Sequence, residues 1–464
     1  MGSNKSIGRK MIDFFSGWER IRVVLLGSKG SGKTVFLTSV GDQLRHQVKE
    51  KFLKDWTISF DPGEDNKVQE EAAKSGIPVF KFQESRASFS NGEWPEKTQD
   101  WSVHTVPFTI GKDKDKKRIL LEMLDLPGER VADFAMINQS YQQWCSWMET
   151  SFGGVTGFST HFKNYLKRLR NFGDDEEGKE AAISAYKDYL AAEYGSYSLS
   201  LTPSIVKLGR DGKQRSGNKE QFRDALKEIP VGISNDLQFI PLPRESFDKG
   251  SPHYKWITDF SKGYEAYKKD VIMPIVSWCS DVNSLLYFVN VLDLLNRGPE
   301  VYNSEKKFAE EVFRFFRHKE EQNILLKPFM LIKDWFVTYV DSVYVVATQS
   351  DRVCDQGNEM IGLAYQMLKE VVGRFELEDG KTNFLSFAAV DTSDEYEDGT
   401  ISAQTKDGLK QYKPSNVPQE WPPSDKWSPG SFAWPNTFPR IDKRADRPPN
   451  QKGLDAIIRR VLSL

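Results

Sequence analysis

Short apolar runs alternate with longer, helix-length stretches along most of this chain. Six of the runs are rich in branched and aromatic residues and end at polar, Gly or Pro residues, which is typical of buried strands. They span residues 21–26, 103–110, 119–124, 285–293, 342–347 and 383–390. Strands separated by helical stretches predict an α/β fold.

The first run ends in a glycine-rich loop. Residues 27–34 read GSKGSGKT, and an apolar helix of about residues 33–52 follows. Glycines let the backbone N–H groups curl around a polyphosphate, and the helix adds its positive end. Lys33 is predicted to reach the β- and γ-phosphates, and the Thr34 hydroxyl to bind Mg²⁺. The predicted nucleotide contacts here are Ser28, Lys29, Gly30, Ser31, Gly32, Lys33, Thr34 and Val35. The alternative is a turn that only joins strand to helix.

A second motif, DLPGE, follows the run at 119–124. Asp125 is predicted to contact Mg²⁺ through water, and the N–H of Gly128 to contact the γ-phosphate. A loop threonine that binds the metal in the triphosphate state is expected between the first helix and this strand, and Thr98 lies in that interval. The alternative for Thr98 is an ordinary turn hydroxyl. The predicted metal ligands are therefore Thr34, Thr98 and Asp125.

Glu129 directly follows Gly128, where Ras-like switches place the residue that orients the attacking water. Arg130 would offset its charge, and the alternative for Arg130 is an exposed loop arginine. The predicted catalytic residues are Lys33, Thr98, Glu129 and Arg130. Because a carboxylate adds negative charge near an anionic phosphate, slow turnover is expected.

The apolar runs at 103–110 and 119–124 are joined by the charged turn 111–117, which is too short for a helical crossover. A hairpin is predicted, with one antiparallel strand beside the phosphate-loop strand. This is the layout of GTPase-type P-loop proteins, whereas other ATPases more usually have purely parallel sheets.

The base-binding motif is predicted after the run at 342–347, in the sequence Thr348-Gln349-Ser350-Asp351. The Asp351 carboxylate would accept hydrogen bonds from the N1–H and exocyclic amine of guanine, a donor pair that adenine lacks. Gln349 stands where the Asn/Thr-Lys-x-Asp pattern has lysine, which weakens the guanine assignment. A backbone N–H at Ala388 or Ala389, at the end of the last strand, is predicted to meet the base oxygen.

About 150 residues between the second motif and the next strand are helical and aromatic, and this is too long for a loop. The predicted domains are residues 1–131 and 284–412 as two parts of a nucleotide-binding domain, 132–283 as a helical insertion, and 413–464 as a Pro- and Trp-rich strap with a closing helix. A lid without a role of its own is the alternative for the insertion.

The composition limits the partners. The 464 residues include 64 basic and 66 acidic residues, which gives a net charge of −2 and no general attraction for nucleic acid. No apolar run is long enough to cross a membrane, and the three cysteines are widely spaced, so we expect a reduced, cytoplasmic protein. Residues 11–18 are aromatic on one face, which suits either a bilayer surface or packing on the domain that follows.

Several segments together resemble the YcjX family of bacterial P-loop NTPases. They are GSKGSGKTVFLTS at 27–39, WPEKTQD at 94–100, DLPGE at 125–129, NQSYQQW at 138–144, YEAYK at 264–268, VNVLDLLNRGPE at 289–300 and GLD at 453–455. The resemblance implies a Ras-like GTPase domain of three layers with a helical insertion. It also implies a role in envelope stress, either in the cytoplasm or peripheral to the inner membrane. By position it assigns nucleotide contacts to Gly30, Gly32, Lys33, Thr34, Thr98, Asp125, Gly128 and Asp351.

We therefore expect a switch that binds GTP or GDP with Mg²⁺, hydrolyses GTP slowly and acts on an unidentified protein partner through the helical domain. The alternative is a scaffold that holds the guanine nucleotide structurally and binds an envelope-associated partner.

Overall fold

The computed structural model describes residues 17–28, 30–46, 52–96, 101–112, 115–127, 130, 132–137, 139–153, 160–193, 219–318, 338–354, 357–374, 382–440 and 447–464. These residues form two compact units. The first contains the described residues of Met1–Pro127, Trp278–Asn323 and Val337–Leu464, and the second those of Gly128–Ser277. The predicted N-terminal segment 11–18 lies outside the described residues except for its last two positions.

Twelve strands are formed by the described residues. They are β1 Glu19–Gly27, β2 Thr57–Ser59, β3 Ser102–Lys112, β4 Asp115–Asp125, β5 Ser284–Val289, β6 Phe316–His318, β7 Thr338–Val340, β8 Ser342–Thr348, β9 Thr382–Phe387, β10 Ser393–Glu395, β11 Ile401–Thr405 and β12 Gly408–Tyr412.

The α-helices of the described residues begin with α1 at the phosphate loop. They are α1 Lys33–His46, α2 Pro62–Lys74, α3 Phe82–Ser90, α4 Tyr141–Met148, α5 Thr160–Leu169, α6 Glu176–Ala192, α7 Lys219–Glu228, α8 Ile257–Tyr267, α9 Met273–Cys279, α10 Val291–Arg297, α11 Pro299–Phe315, α12 Gly357–Arg374 and α13 Leu454–Val461. Local signals set several starts. Asp61 caps α2 by accepting from the N–H of Gly63 at 2.8 Å, and proline occupies the first position of α2 and α11.

The central sheet has seven strands in the order β2-β3-β4-β1-β5-β8-β9. β1 pairs in parallel with β4 and β5, and parallel pairing continues from β5 to β8 and from β8 to β9. β3 is antiparallel to both of its neighbours, β2 and β4. The predicted α/β fold with one antiparallel strand is therefore confirmed. One detail was wrong: β4 separates the antiparallel strand from β1, because β3 pairs with the far edge of β4.

Helices cover both faces of this sheet. On one face, Phe36 of α1 and Ile457 of α13 share a hydrophobic core with Leu25 of β1. On the other face, the ring of Tyr287 in β5 packs against Phe313 of α11 with centroids 5.4 Å apart. The sequence neighbours of Tyr287 belong to the first core, as expected when successive strand residues point to opposite sides. The result is three layers, with strands buried on both faces.

Two smaller sheets were not predicted. β6 and β7 form a parallel pair, and β10, β11 and β12 form an antiparallel sheet. Residues 413–440, which we call the strap, run over the first unit without regular secondary structure. Two tryptophans of the strap donate their indole N–H groups to helices. Trp421 donates to Leu363 O in α12 at 2.8 Å, and Trp427 donates to Leu295 O in α10 at 2.7 Å.

The second unit is helical and has an aromatic core. The rings of Trp144 and Tyr264 lie 5.5 Å apart, and both side chains are fully buried. Tyr141 and Tyr165 donate their hydroxyls to Ile240 O at 2.6 Å and Pro241 O at 2.8 Å. The backbone thus accepts the hydrogen bonds of these two buried phenol groups. Among the helices of the described residues in either unit, none is both long and apolar enough to cross a membrane.

Candidate nucleotide site

The phosphate loop leaves the carboxyl end of β1 and runs into α1. Gly27 has φ 142°, and a Cβ there would lie 2.4 Å from the carbonyl oxygen of Phe288 in β5. Gly30 and Gly32 have φ of 83° and 94°, in the left-handed region that favours glycine. The loop therefore needs these glycines, as predicted. Lys29 lies outside the described residues.

The Lys33 side chain folds back into this loop. Its Nζ donates to Gly27 O at 2.7 Å, to Ser28 O at 3.1 Å and to the Oγ of Ser31 at 3.4 Å. The side chain is buried, so the ammonium charge is held inside the curve of the backbone. The contact of Lys33 with the β- and γ-phosphates stays a prediction.

Thr34 and Asp125 meet at the end of two adjacent strands. The Thr34 Oγ1 donates to the Oδ2 of Asp125 at 3.3 Å, and Asp125 is fully buried. The reason is the register, in which Asp125 of β4 lies opposite Leu25 of β1, two residues before the loop begins. A hydroxyl and a carboxylate are hard oxygen ligands of the kind that Mg²⁺ prefers, so these two side chains fit the predicted metal. The third predicted ligand, Thr98, lies outside the described residues.

A carboxyl group that the sequence did not identify reaches the same loop. Glu305 of α11 is 1% exposed, and the hydroxyl of Tyr287 donates to its Oε1 at 2.8 Å. Burial raises the pKa of Glu305, whereas hydrogen bonding by Tyr287 and Ser28 and the charge of Lys33 lower it. The sequence predicts a helix here, but nothing in a single sequence shows which of its many carboxylates faces the phosphate loop.

The predicted base-binding residues lie at the carboxyl end of β8. Thr348 ends the strand, Gln349 has φ 64°, and Ser350 and Asp351 begin a short 3₁₀ turn. Asp351 is buried, and its Oδ2 accepts from the backbone N–H of Thr392 at 3.0 Å and from the Thr392 hydroxyl. Burial raises the pKa of Asp351, and these two hydrogen bonds lower it. Thr392 thus positions the carboxylate, a partnership that no local sequence signal indicates.

Ala388 and Ala389 follow β9 and are buried. The N–H of Ala388 donates to Lys452 O at 2.8 Å, and its carbonyl accepts from the N–H of Lys452 at 2.9 Å. Ser39 of α1 donates to Ala389 O at 2.5 Å. A base contact from Ala388, as predicted, requires the bond to Lys452 to be replaced.

The predicted hydrolytic residues are described only in part. Gly128 and Glu129 lie outside the described residues. Arg130 belongs to the second unit, where its Nη1 donates to the hydroxyl of Tyr267 at 2.6 Å and pairs with Asp133 at 3.3 Å. The side chain is 3% exposed. These contacts give Arg130 a structural role inside that unit, and its catalytic role stays a prediction.

Comparison with known proteins identifies one family over most of the chain. The sequence model of the YcjX-like family (DUF463) matches residues 21–463. The chain is 21% identical over 448 residues to a protein of Shewanella oneidensis named Ras-like GTPase YcjX, covering 89% of this chain and 87% of that protein. It is 22% identical over 478 residues to the protein of the same name from Escherichia coli, covering 94% of each.

Proposed function

This chain belongs to the YcjX-like family, and we propose that it is a Mg²⁺-dependent GTP-binding protein that hydrolyses GTP slowly. The observation that carries the proposal is the meeting of Lys33, Thr34 and Asp125 at the carboxyl ends of β1 and β4. The names of the two relatives, Ras-like GTPase YcjX, support the same activity.

Phosphate binding falls to the loop and to Lys33. In the nucleotide complex the ammonium of Lys33 exchanges its bonds to Gly27 O and Ser28 O for bonds to the β- and γ-phosphates. The exchange leaves a buried positive charge paired with phosphate instead of backbone carbonyls, which favours binding. We propose Ser28 to Val35, together with Gly128, as the phosphate contacts.

Thr34, Asp125 and Thr98 are the proposed metal ligands. These residues would hold Mg²⁺, which would supply positive charge to offset the negative charge that develops on the phosphates. The hydrogen bond between Thr34 and Asp125 supports the assignment of both oxygens to one metal site. The pairing of β1 with β4 brings the two side chains together.

Guanine recognition is assigned to Asp351, with Gln349 over the base and Ala388 or Ala389 near the base oxygen. Thr392 occupies one oxygen of the Asp351 carboxylate and thereby fixes its plane. An ionised carboxylate accepts from two guanine donors, whereas adenine presents an acceptor at N1. Burial raises the pKa of this carboxyl, and the hydrogen bonds from Thr392 act in the opposite direction and favour the ionised form.

Hydrolysis is proposed to depend on Glu129, which follows Gly128 and orients the attacking water. Because this carboxylate adds negative charge, we expect intrinsic turnover on the order of 10⁻³ s⁻¹ or less. Arg130 would offset the charge only by leaving Asp133 and Tyr267, and this is a further reason to expect slow turnover.

The output of the switch is proposed to be a rearrangement of the helical unit, read by a protein partner in the cytoplasm or at the inner membrane during envelope stress. The chain passes directly from Asp125 to Gly128 and then to Arg130, which is anchored in the helical unit. Contact of Gly128 with the γ-phosphate would therefore be transmitted along a few residues of backbone. A scaffold that holds GDP without turnover is the second candidate, and it needs the same phosphate loop.

The first experiment identifies the nucleotide. The purified protein should carry guanine nucleotide by mass spectrometry, and GTP should displace a fluorescent GDP analogue far better than ATP does. Lys33→Ala should lose binding, while Lys74→Ala, an exposed lysine on α2, should not. ATP that competes as well as GTP would refute the guanine assignment.

The second experiment separates switch from scaffold. Limited proteolysis of the second unit, including the polar segment 174–178 at the start of α6, is compared in the presence of GDP and of a non-hydrolysable GTP analogue. A switch shows different cleavage in the two states. Identical cleavage, together with no single-turnover hydrolysis, would favour the scaffold.

A further inference from the structure

The strap passes the loop that follows β8. Arg352 in that loop donates from Nε to the carbonyl oxygen of Pro435 at 2.8 Å, across 83 residues of sequence. Its Nη1 donates to the Oε1 of Gln349. One guanidinium therefore links the side chain of Gln349 to the backbone of the strap.

The part of the strap that receives Arg352 is itself held in place. The indole N–H of Trp94 donates to Thr437 O at 2.8 Å, and the N–H of Phe438 donates to Gln404 O in β11 at 2.8 Å. Thr437 is buried. The acceptor at Pro435 thus lies within a segment that two other parts of the first unit fix, so it gives Arg352 a defined position.

Gln349 occupies a restricted backbone conformation. Its φ of 64° lies in the left-handed region, which few residues other than glycine, asparagine and aspartate adopt readily. The surrounding contacts must hold it there, and Arg352 supplies the contact to its side chain. With Oε1 bonded to Arg352, the amide is fixed at its outer end.

The charge of Arg352 also bears on why an amide stands at position 349. Burial lowers the pKa of Arg352, and the nearby carboxylates of Asp351 and Asp293 raise it. An arginine stays charged under all ordinary conditions. A lysine at 349 would place an ammonium against this guanidinium, whereas the neutral glutamine accepts a hydrogen bond from it.

We propose that Arg352 is a specificity-determining positioning residue, which braces on Pro435 of the strap and holds the Gln349 side chain across the face of the base. This inference rests on the proposed function and names how the same site selects its base: a base held by its face keeps its edge in line with the Asp351 carboxylate, which distinguishes guanine from adenine. The pair replaces the lysine whose stem covers the base in the Asn/Thr-Lys-x-Asp pattern. The side chain of Gln349 is shorter than that of lysine. Without Arg352 it would sample several rotamers, and fixing one of them on nucleotide binding would cost conformational entropy.

The test is a double-mutant cycle with Gln349→Asn and Arg352→Lys. Asparagine keeps an amide and tolerates left-handed backbone but is one methylene shorter, and lysine keeps the charge but lacks the fork that makes both bonds. The measured quantity is the ratio of the Kd values for ADP and GDP. Each single substitution is expected to lower this ratio about tenfold. The double substitution should also lower it about tenfold, since both act through one contact.

The matched control is Trp421→Phe, which removes a 2.8 Å bond from the strap to Leu363 O without touching the base loop. It should leave the ratio unchanged. A wild-type ratio in Gln349→Asn overturns the inference even if Arg352→Lys does not fold, and so does a double substitution that lowers the ratio about a hundredfold. Wild-type protein with equal Kd values for ADP and GDP would refute the proposed function itself.

Discussion

Replacing Glu305 by glutamine is expected to tighten nucleotide binding at alkaline pH. This carboxyl is buried on α11, accepts from Tyr287 at 2.8 Å, and lies close enough to Ser28 and Lys33 of the phosphate loop to interact with both. Burial is the largest effect and raises its pKa above the ordinary 4.5. Glutamine keeps the acceptor for Tyr287 and removes the charge.

The sign follows from the direction of the shift. Because the folded pKa lies above the unfolded one, the stabilisation from proton binding is complete below the unfolded pKa and is lost as pH rises through the folded pKa. Above that pH a buried carboxylate adds negative charge beside the loop that binds polyphosphate. Two unit charges about 8–15 Å apart repel by about 1–2 kcal/mol at an effective dielectric constant of about 20. The charge of Asp293 also raises the pKa of Glu305, and the charge of Lys33 lowers it.

A penalty of this size corresponds to about tenfold in Kd. The assay is GDP titration at several pH values from about pH 5 to about pH 8.5, a range that starts near the ordinary pKa of a glutamate and extends well above it. Wild-type affinity should fall as pH rises, and the Glu305→Gln variant should bind about tenfold tighter at the alkaline end and show a flatter profile. Glu300→Gln, an exposed carboxylate on the same helix, is the control and should resemble the wild type. Equal affinity of wild type and Glu305→Gln at every pH would show that the carboxyl does not act on the site.

Three further changes address the base, the chemistry and the helical unit. Asp351→Asn should weaken GTP binding by about 1–3 kcal/mol and favour xanthine nucleotides, because the new amide donates where guanine also donates. Competition titration of GTP against XTP checks this change. An unchanged preference for GTP would contradict it. Glu129→Ala should lower single-turnover hydrolysis about tenfold or more with GTP affinity within a few-fold, while Lys33→Ala loses binding; a wild-type rate in Glu129→Ala would place the water elsewhere. Tyr267→Phe should lower the free energy of unfolding of the second unit by about 1–3 kcal/mol, because the hydroxyl bonds both members of a buried ion pair. Tyr165→Phe, which loses one hydrogen bond to a carbonyl, is the control and should lower the free energy of unfolding by about 0.5–1.5 kcal/mol. If thermal or urea unfolding gives the same loss for Tyr267→Phe and Tyr165→Phe, the ion pair does not add to the stabilisation.

The sequence by itself determined the parts of this protein that depend on short-range order. The strands of the central sheet, except β2, are visible as apolar runs, and the inner strands β1, β5 and β8 are buried on both faces. The loop at 27–34 is specified by glycines at positive φ and by the strand and helix that flank it within a few residues. The closeness of Thr34, which follows β1 and its loop, to Asp125, which ends β4, could also be expected, because parallel neighbouring strands end at one edge of the sheet.

Only the tertiary structure decided which distant residues complete the site. The polar strands β10 and β12 and the short strand β2 carry no apolar signal, since their pairing depends on backbone groups that any sequence has. Glu305 faces the phosphate loop because of the rotation of α11, and Thr392 meets Asp351 because of the path after β9. The bond from Arg352 to Pro435 spans 83 residues, and no local pattern encodes it. Local motifs are fixed by steric limits on neighbouring residues, whereas these contacts arise from the packing of whole elements, which one sequence does not display.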